Sequence, residues 1–269
     1  MDRSKRSVAR RARWATFGPI VCALSTACGA VATAQDFRIE TALYANDARE
    51  PVSKATTLFE QGVVYDFLSQ PRQVAVYRPK SAEQPGRFVL LDTDRKVRTE
   101  LTTDRLEGLL AKVRSWAASQ EEPLFRFQAK PRFEDSFDDE IGQLILSSDL
   151  MTYRVVTEPG GNAAAMAAYR EFCDAYARLN AVTQRGMLPF ARLKLNAILD
   201  ELGRVPTSVE LTIPQQKLRL RAVHAFMWRL SKDDRRKIET VRAQLGNFRP
   251  VDNAEFRKVT ELASNPQDD

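Results

Sequence analysis

The side chains able to do chemistry are few. The chain has one histidine, His224, and three cysteines, Cys22, Cys28 and Cys173. Two-histidine zinc sites and the HExxH pattern are therefore excluded, and one thiol outside the N-terminal segment cannot replace the missing ligands. A Ser-His-Asp triad would have to use His224, but no G-x-S-x-G precedes a helix. His224 reads instead as a core or pocket residue on an apolar strand face. Glu134, Asp135, Asp138, Asp139 and Glu140 form the densest carboxylate group, but Phe133 and Phe137 interrupt it in strand rhythm and the spacing is not that of a calcium loop. It reads as a solvated strand edge and turn. Gly160-Gly161 is an isolated pair without the spacing of a phosphate loop. Lys217, Arg219, Arg221 and Arg229 form a basic stripe that reads as the wet face of a strand, with an anionic head group or acidic partner as the sharper reading. No metal and no cofactor is expected.

The elements that position these residues follow from periodicity. Phe37 to Tyr44 alternates as a half-buried strand, and residues 55–68 continue the rhythm with Val63, Tyr65 and Phe67 on one face. Further strands are expected at Gln73–Arg78, Arg87–Asp92 and Lys96–Leu101. A helix follows, capped by Thr102 or Thr103, with Leu106, Leu109, Leu110 and Val113 on one face. Strands are expected again near 124–128, 132–137, 141–147 and 150–157. A helix capped by Asn162 runs to about Gln184, and another runs from Pro189 to Gly203. Val209, Leu211 and Ile213 alternate as a strand. Residues 217–230 return as a strand or a helix, and as a strand they place His224, Phe226 and Trp228 on one face. Ser231 and Asp234 resemble a capping box opening the last helix. The unit strand, turn, strand, helix thus occurs at 86–119 and again at 207–246.

The N-terminus supplies an address. Arg3, Lys5, Arg6, Arg10, Arg11 and Arg13 precede a short apolar stretch, and Ala32-Thr33-Ala34 offers the small residues of a cleavage site. The reading is a signal peptide over 1–34, a single α+β domain over 35–260 and a disordered tail over 261–269. The mature chain has no transmembrane segment and lies in the periplasm or outside the cell; a lipid anchor on Cys28 is the variant. Without residues 1–34, Lys and Arg number 35 against 34 Asp and Glu. The basic excess belongs to the leader, and nucleic acid is not expected as a partner. Cys173, alone in the mature chain, cannot form an internal disulfide and sits where burial is favoured.

The segment Thr57-Leu58-Phe59-Glu60-Gln61-Gly62-Val63-Val64-Tyr65-Asp66, then Val76-Tyr77-Arg78-Pro79 and Phe88-Val89-Leu90-Leu91-Asp92, resembles the periplasmic lipoprotein-carrier family of incomplete β-barrels. The resemblance covers about a fifth of the mature chain, and the paired helices at 162–202 depart from it. It implies a strongly curved antiparallel sheet whose concave face, covered by amphipathic helices, encloses an apolar cavity for acyl chains. The resulting expectation is a non-enzymatic envelope binding protein holding a lipid-like or other apolar ligand in a half-barrel. Its pocket candidates are Tyr65, Phe67, His224, Phe226 and Trp228, aromatic groups on apolar strand faces. Two alternatives stay open: a scaffold module binding another envelope protein, and a hydrolase of envelope polymers using carboxylates such as Asp66, Glu134, Asp138 and Asp139.

Overall fold

The structure, a computed structural model, describes residues 36–69, 72–183 and 187–257. The leader over 1–34, the anchor variant at Cys28 and the tail over 261–269 lie outside the described residues. The described chain is α+β. Strands β1 (Phe37–Ala45), β2 (Ser53–Glu60), β3 (Val63–Leu68), β4 (Gln73–Arg78), β5 (Arg87–Asp92) and β6 (Val97–Thr102) form an antiparallel meander. Helices α1 (Thr103–Ser119) and α2 (Pro123–Ala129) lead to β7 (Glu134–Asp138), β8 (Gln143–Ser147) and β9 (Thr152–Pro159). Then come α3 (Ala163–Thr183), α4 (Phe190–Glu201), β10 (Arg204–Ile213), a short 3-10 turn at Pro214–Gln216, β11 (Leu218–Met227), α5 (Lys232–Asn247) and β12 (Arg249–Pro250). All twelve strands join one sheet, in the order β12-β6-β5-β4-β3-β2-β1-β11-β10-β9-β8-β7. Only the short β12–β6 pair is parallel.

The expected half-barrel is not what forms, because the sheet is neither closed nor strongly curled. Helices also pack on both of its faces. Successive strand residues point to opposite sides, and the core divides accordingly. Phe59, Val64, Ala75, Tyr77 and Phe88 meet Tyr169, Phe172, Ala175 and Leu179 of α3. Their strand neighbours Leu58, Tyr65, Val76 and Val89 meet Ile238 and Val241 of α5. The meander half is therefore a three-layer structure, with no single concave face for the helices to cover. In the other half, Leu144, Tyr153, Val155, Val209 and Leu211 pack under Ala191, Leu195 and Leu199 of α4. The reverse face of that half carries Arg154, Val156, Arg221 and Val223, all exposed.

Local signals explain most boundaries. The Thr102 side chain accepts from the Arg105 N–H, Asn162 Oδ1 accepts from Ala165 N–H at 2.8 Å, and Ser231 and Asp234 form a reciprocal capping box. The run expected over 55–68 is in fact a hairpin, with Gln61 at φ 50° and Gly62 at φ 77° between β2 and β3. Two consecutive positive φ values are what a type I′ turn requires, and Gly62 takes one without strain. The strand expected near 124–128 is helix α2. Pro123 opens it, and the buried pair Leu124 and Gln128 lies one helical turn apart. Residues 218–227 are a strand. The two strand-turn-strand-helix units end differently: Leu106 of α1 joins the α3 side of the sheet and α5 crosses to the opposite side.

Candidate functional site

The register separates the residues chosen from sequence. Tyr65 and Phe67 lie on the α5 face, where Tyr65 is fully buried and its hydroxyl accepts from Arg242 Nε at 3.2 Å. Phe226 and Trp228 lie across the sheet, packed with Phe37 and Tyr169 against α3. His224 shares their face, since Thr41 lies opposite it and Ile39 lies opposite Phe226 in the β1–β11 pairing. The five residues therefore cannot line one pocket. Trp228 is held by close approach, because a Cβ on Gly161 would come within 2.7 Å of its ring.

His224 is half-buried, and its Nδ1 shares a hydrogen bond with Thr41 Oγ1 at 2.9 Å. Its Nε2 is buried without a partner among the described residues. Burial, with the Arg192 guanidinium as a second cause, pushes its pKa down to about 3. The folded imidazole therefore stays neutral where the unfolded one begins to charge. The unfolded state binds the extra proton below about pH 6.5, so this group's contribution to stability declines as pH falls from there toward 3. Nitrogen-15 NMR of the ring is expected to show a neutral imidazole at pH 5. An imidazolium signal at that pH would refute this placement.

A second polar group lies inside the α3 face. Asp66 is buried and accepts from Thr57 Oγ1 at 2.7 Å, with Tyr176 of α3 as its other hydrogen-bond partner. Burial raises its pKa against the pull of both hydrogen bonds, and burial followed by the Asp66 charge raises that of Tyr176. Cys173, on α3 itself, packs against the same core, where burial pushes its thiol up to about 11, so it remains an unreactive thiol at neutral pH.

The space that can take a ligand lies further along the same layer. A cleft of about 220 Å³ opens between the first turns of α3 and the end of the sheet that carries the β2–β3 turn. Phe37 and Phe59 form its floor as a stacked pair, with centroids 4.0 Å apart, and Val64 and Tyr77 extend it. Ala167 and Ala168 form the roof. The run Ala163-Ala164-Ala165-Met166-Ala167-Ala168 explains the gap, since small side chains at the head of α3 stand over large rings. At the mouth the Tyr77 hydroxyl donates to Glu171 Oε1 at 3.0 Å. Burial first, and the neighbouring Glu171 carboxylate second, drive the Tyr77 pKa well up, so the phenol keeps its proton. Glu60 also borders the cleft, but its carboxylate is taken by Arg235 at 2.9 Å and Arg242 at 2.6 Å on the α5 side.

None of Phe37, Phe59, Tyr77, Ala168 and Glu171 was a candidate from sequence. The alanine run opening an amphipathic helix was the one available signal. The other sequence candidates are dispersed. Glu134, Asp135, Asp138 and Asp139 lie on β7, the end strand of the sheet, and in the turn after it, with Asp138 Oδ1 accepting from Glu140 N–H at 3.0 Å. Asp66, seven strands away, does not converge with them. Arg219 pairs with Glu210 at 3.2 Å and Arg221 stacks on Tyr44, both on the face without a helix. No protein-family model matches the chain, and no curated protein matches it at a significant level.

Proposed function

We propose that this is an exported, non-enzymatic binding protein of the cell envelope, and that its ligand is a small amphiphile seated in the cleft beneath α3. The observation that carries the reading is the aromatic cleft itself, floored by Phe37, Phe59 and Val64, with the Glu171 carboxylate and the Tyr77 phenol hydrogen-bonded to each other at its mouth and the Glu60 carboxylate turned to Arg235 and Arg242. Apolar lining with a few placed polar groups is the usual composition of small-molecule sites. A volume of about 220 Å³ is below that of drug-sized sites, which begin near 300 Å³, and above the ~150 Å³ cavity that takes benzene. An acyl chain end or a single ring fits, whereas a whole lipid does not. Glu171 has no cationic partner among the described residues, so the head group it favours is an amine or a hydroxyl and not a carboxylate.

Calorimetric titration with octylamine and with octanoate tests this. Octylamine is expected to bind more tightly by about threefold, the scale of an exposed ion pair, and Glu171→Gln is expected to erase the difference. Equal binding of both compounds to the unmodified protein, or tighter binding of octanoate, would overturn the head-group assignment. Failure of both to bind would overturn the site.

A second reading, an envelope scaffold, is favoured by the helix-free face of the sheet, where exposed Val156 and Val223 flank Ser208 in register. Stoichiometric cross-links from that face in intact cells would favour it.

A further inference from the structure

A second cleft, of about 570 Å³, lies at the β12–β6 edge of the sheet, where the C-terminal segment straps β6. We propose that it binds a phosphate-bearing molecule. The strap is fastened at several points. Arg249 N–H donates to Lys96 O at 3.1 Å, Val251 N–H donates to Arg98 O at 2.8 Å, and Thr99 Oγ1 donates to Asn253 Oδ1 at 3.1 Å. Phe256 is buried, and Arg95 holds its carbonyl at 2.9 Å. Covering a sheet edge requires only backbone and apolar contacts, yet three arginines are among the residues that line this cleft, from β6 (Arg98), the first turn of α1 (Arg105) and the strap (Arg257).

Two of the three are anchored in place by carbonyls. Arg98 Nε donates to Phe248 O at 3.3 Å, and Arg257 Nε donates to Asn253 O at 3.2 Å. None of the three pairs with a carboxylate among the described residues. The lining contains two acids: Glu100 pairs with Arg87 at 3.6 Å, and Asp252 accepts from Glu255 N–H at 2.7 Å and keeps its charge, so the three arginines outnumber the acids of the lining. Three arginines arriving from three segments suit an anion with oxygens on several sides, a tetrahedral phosphate more than a planar carboxylate. The volume lies within the range of small-molecule sites. The polar lining points to a phosphate carried on a polar body, either a free phosphorylated compound or a lipid head group.

Inorganic phosphate titrated into the full chain at constant ionic strength, with chloride as control, tests the site. Saturable amide shifts at Thr99, Asn253 and Ala254 are expected with millimolar affinity. Arg105→Glu, which removes no side-chain hydrogen bond or ion pair among the described residues, is expected to weaken binding by about tenfold, the scale of one charge-assisted hydrogen bond. Arg154→Glu, on the helix-free sheet face, should leave it unchanged. No saturable shift, or equal binding by Arg105→Glu, overturns the proposal. Vesicles of phosphatidylcholine with phosphatidylglycerol separate the two sources. Sedimentation with them that Arg105→Glu weakens and Arg154→Glu does not assigns a lipid head group, and phosphate binding without sedimentation assigns a free compound.

Discussion

Ala168→Leu is expected to weaken octylamine binding by at least about tenfold while leaving the melting temperature almost unchanged. Ala168 is half-buried and roofs the cleft over Phe59 and Tyr77. Leucine places three further carbons in that space. Enlarging a residue in a filled core costs about 1–3 kcal/mol, but here the added atoms enter a gap and bring burial of their own. The ligand bears the loss. Displacing two methylene groups at about 0.8 kcal/mol each already exceeds the 1.4 kcal/mol that corresponds to tenfold. Calorimetry on the variant, with a thermal melt as the control for folding, reads both halves of the expectation. Undiminished affinity would place the ligand elsewhere.

The second large effect concerns Asp66. Its folded-state pKa lies above the ordinary carboxylate value because burial penalises the charge more than Thr57 and Tyr176 relieve it. The folded state therefore keeps a proton that the unfolded state releases. The stability this group contributes is complete below the ordinary carboxylate range and is lost as pH rises from there through the raised folded value. Asp66→Asn retains the acceptor for Thr57 and offers Tyr176 a donor in place of an acceptor, which a rotating hydroxyl accommodates. The variant should match the unmodified protein in acid and melt at a higher temperature at pH 8, each kcal/mol of difference reading as about 2–4 °C. Thermal melts across pH 4–8 give the comparison. A lower melting point for the variant at pH 8, with an unchanged pH slope, would mean that Asp66 is ionised and stabilising.

Much of the secondary structure is legible in local chemistry. Thr102, Asn162 and the pair Ser231 and Asp234 cap the helices expected of them, and Tyr65 and Phe67 do share one face of β3. The hairpin at Gln61-Gly62 escapes notice because alternation continues on both sides of a two-residue turn, and glutamine at positive φ is not a turn signature. Helix α2 escapes because seven residues give too little periodicity to tell a turn of helix from a buried strand.

The site fails for a different reason. Whether β3 and β11 turn the same face to a helix depends on the pairings of β1 with β2 and with β11, contacts between residues as distant as Thr41 and His224. Nothing near either strand encodes that choice, so His224, Phe226 and Trp228 could not be assigned to the face opposite Tyr65 and Phe67. The half-barrel fails in the same way. The apolar stripe of α5, Ile238 and Val241, announces burial but not which side of the sheet it covers.

The central claim, that an amphiphile lies between the head of α3 and the Phe37–Phe59 pair, is tested most directly by intermolecular NOEs from bound octylamine. The chain protons of octylamine are expected to contact the rings of Phe37, Phe59 and Tyr77 and the Ala168 methyl. Contacts confined to the opposite face, at Tyr65, Phe67 or Val76, would contradict the account, and so would a ligand that shows none at the four expected residues.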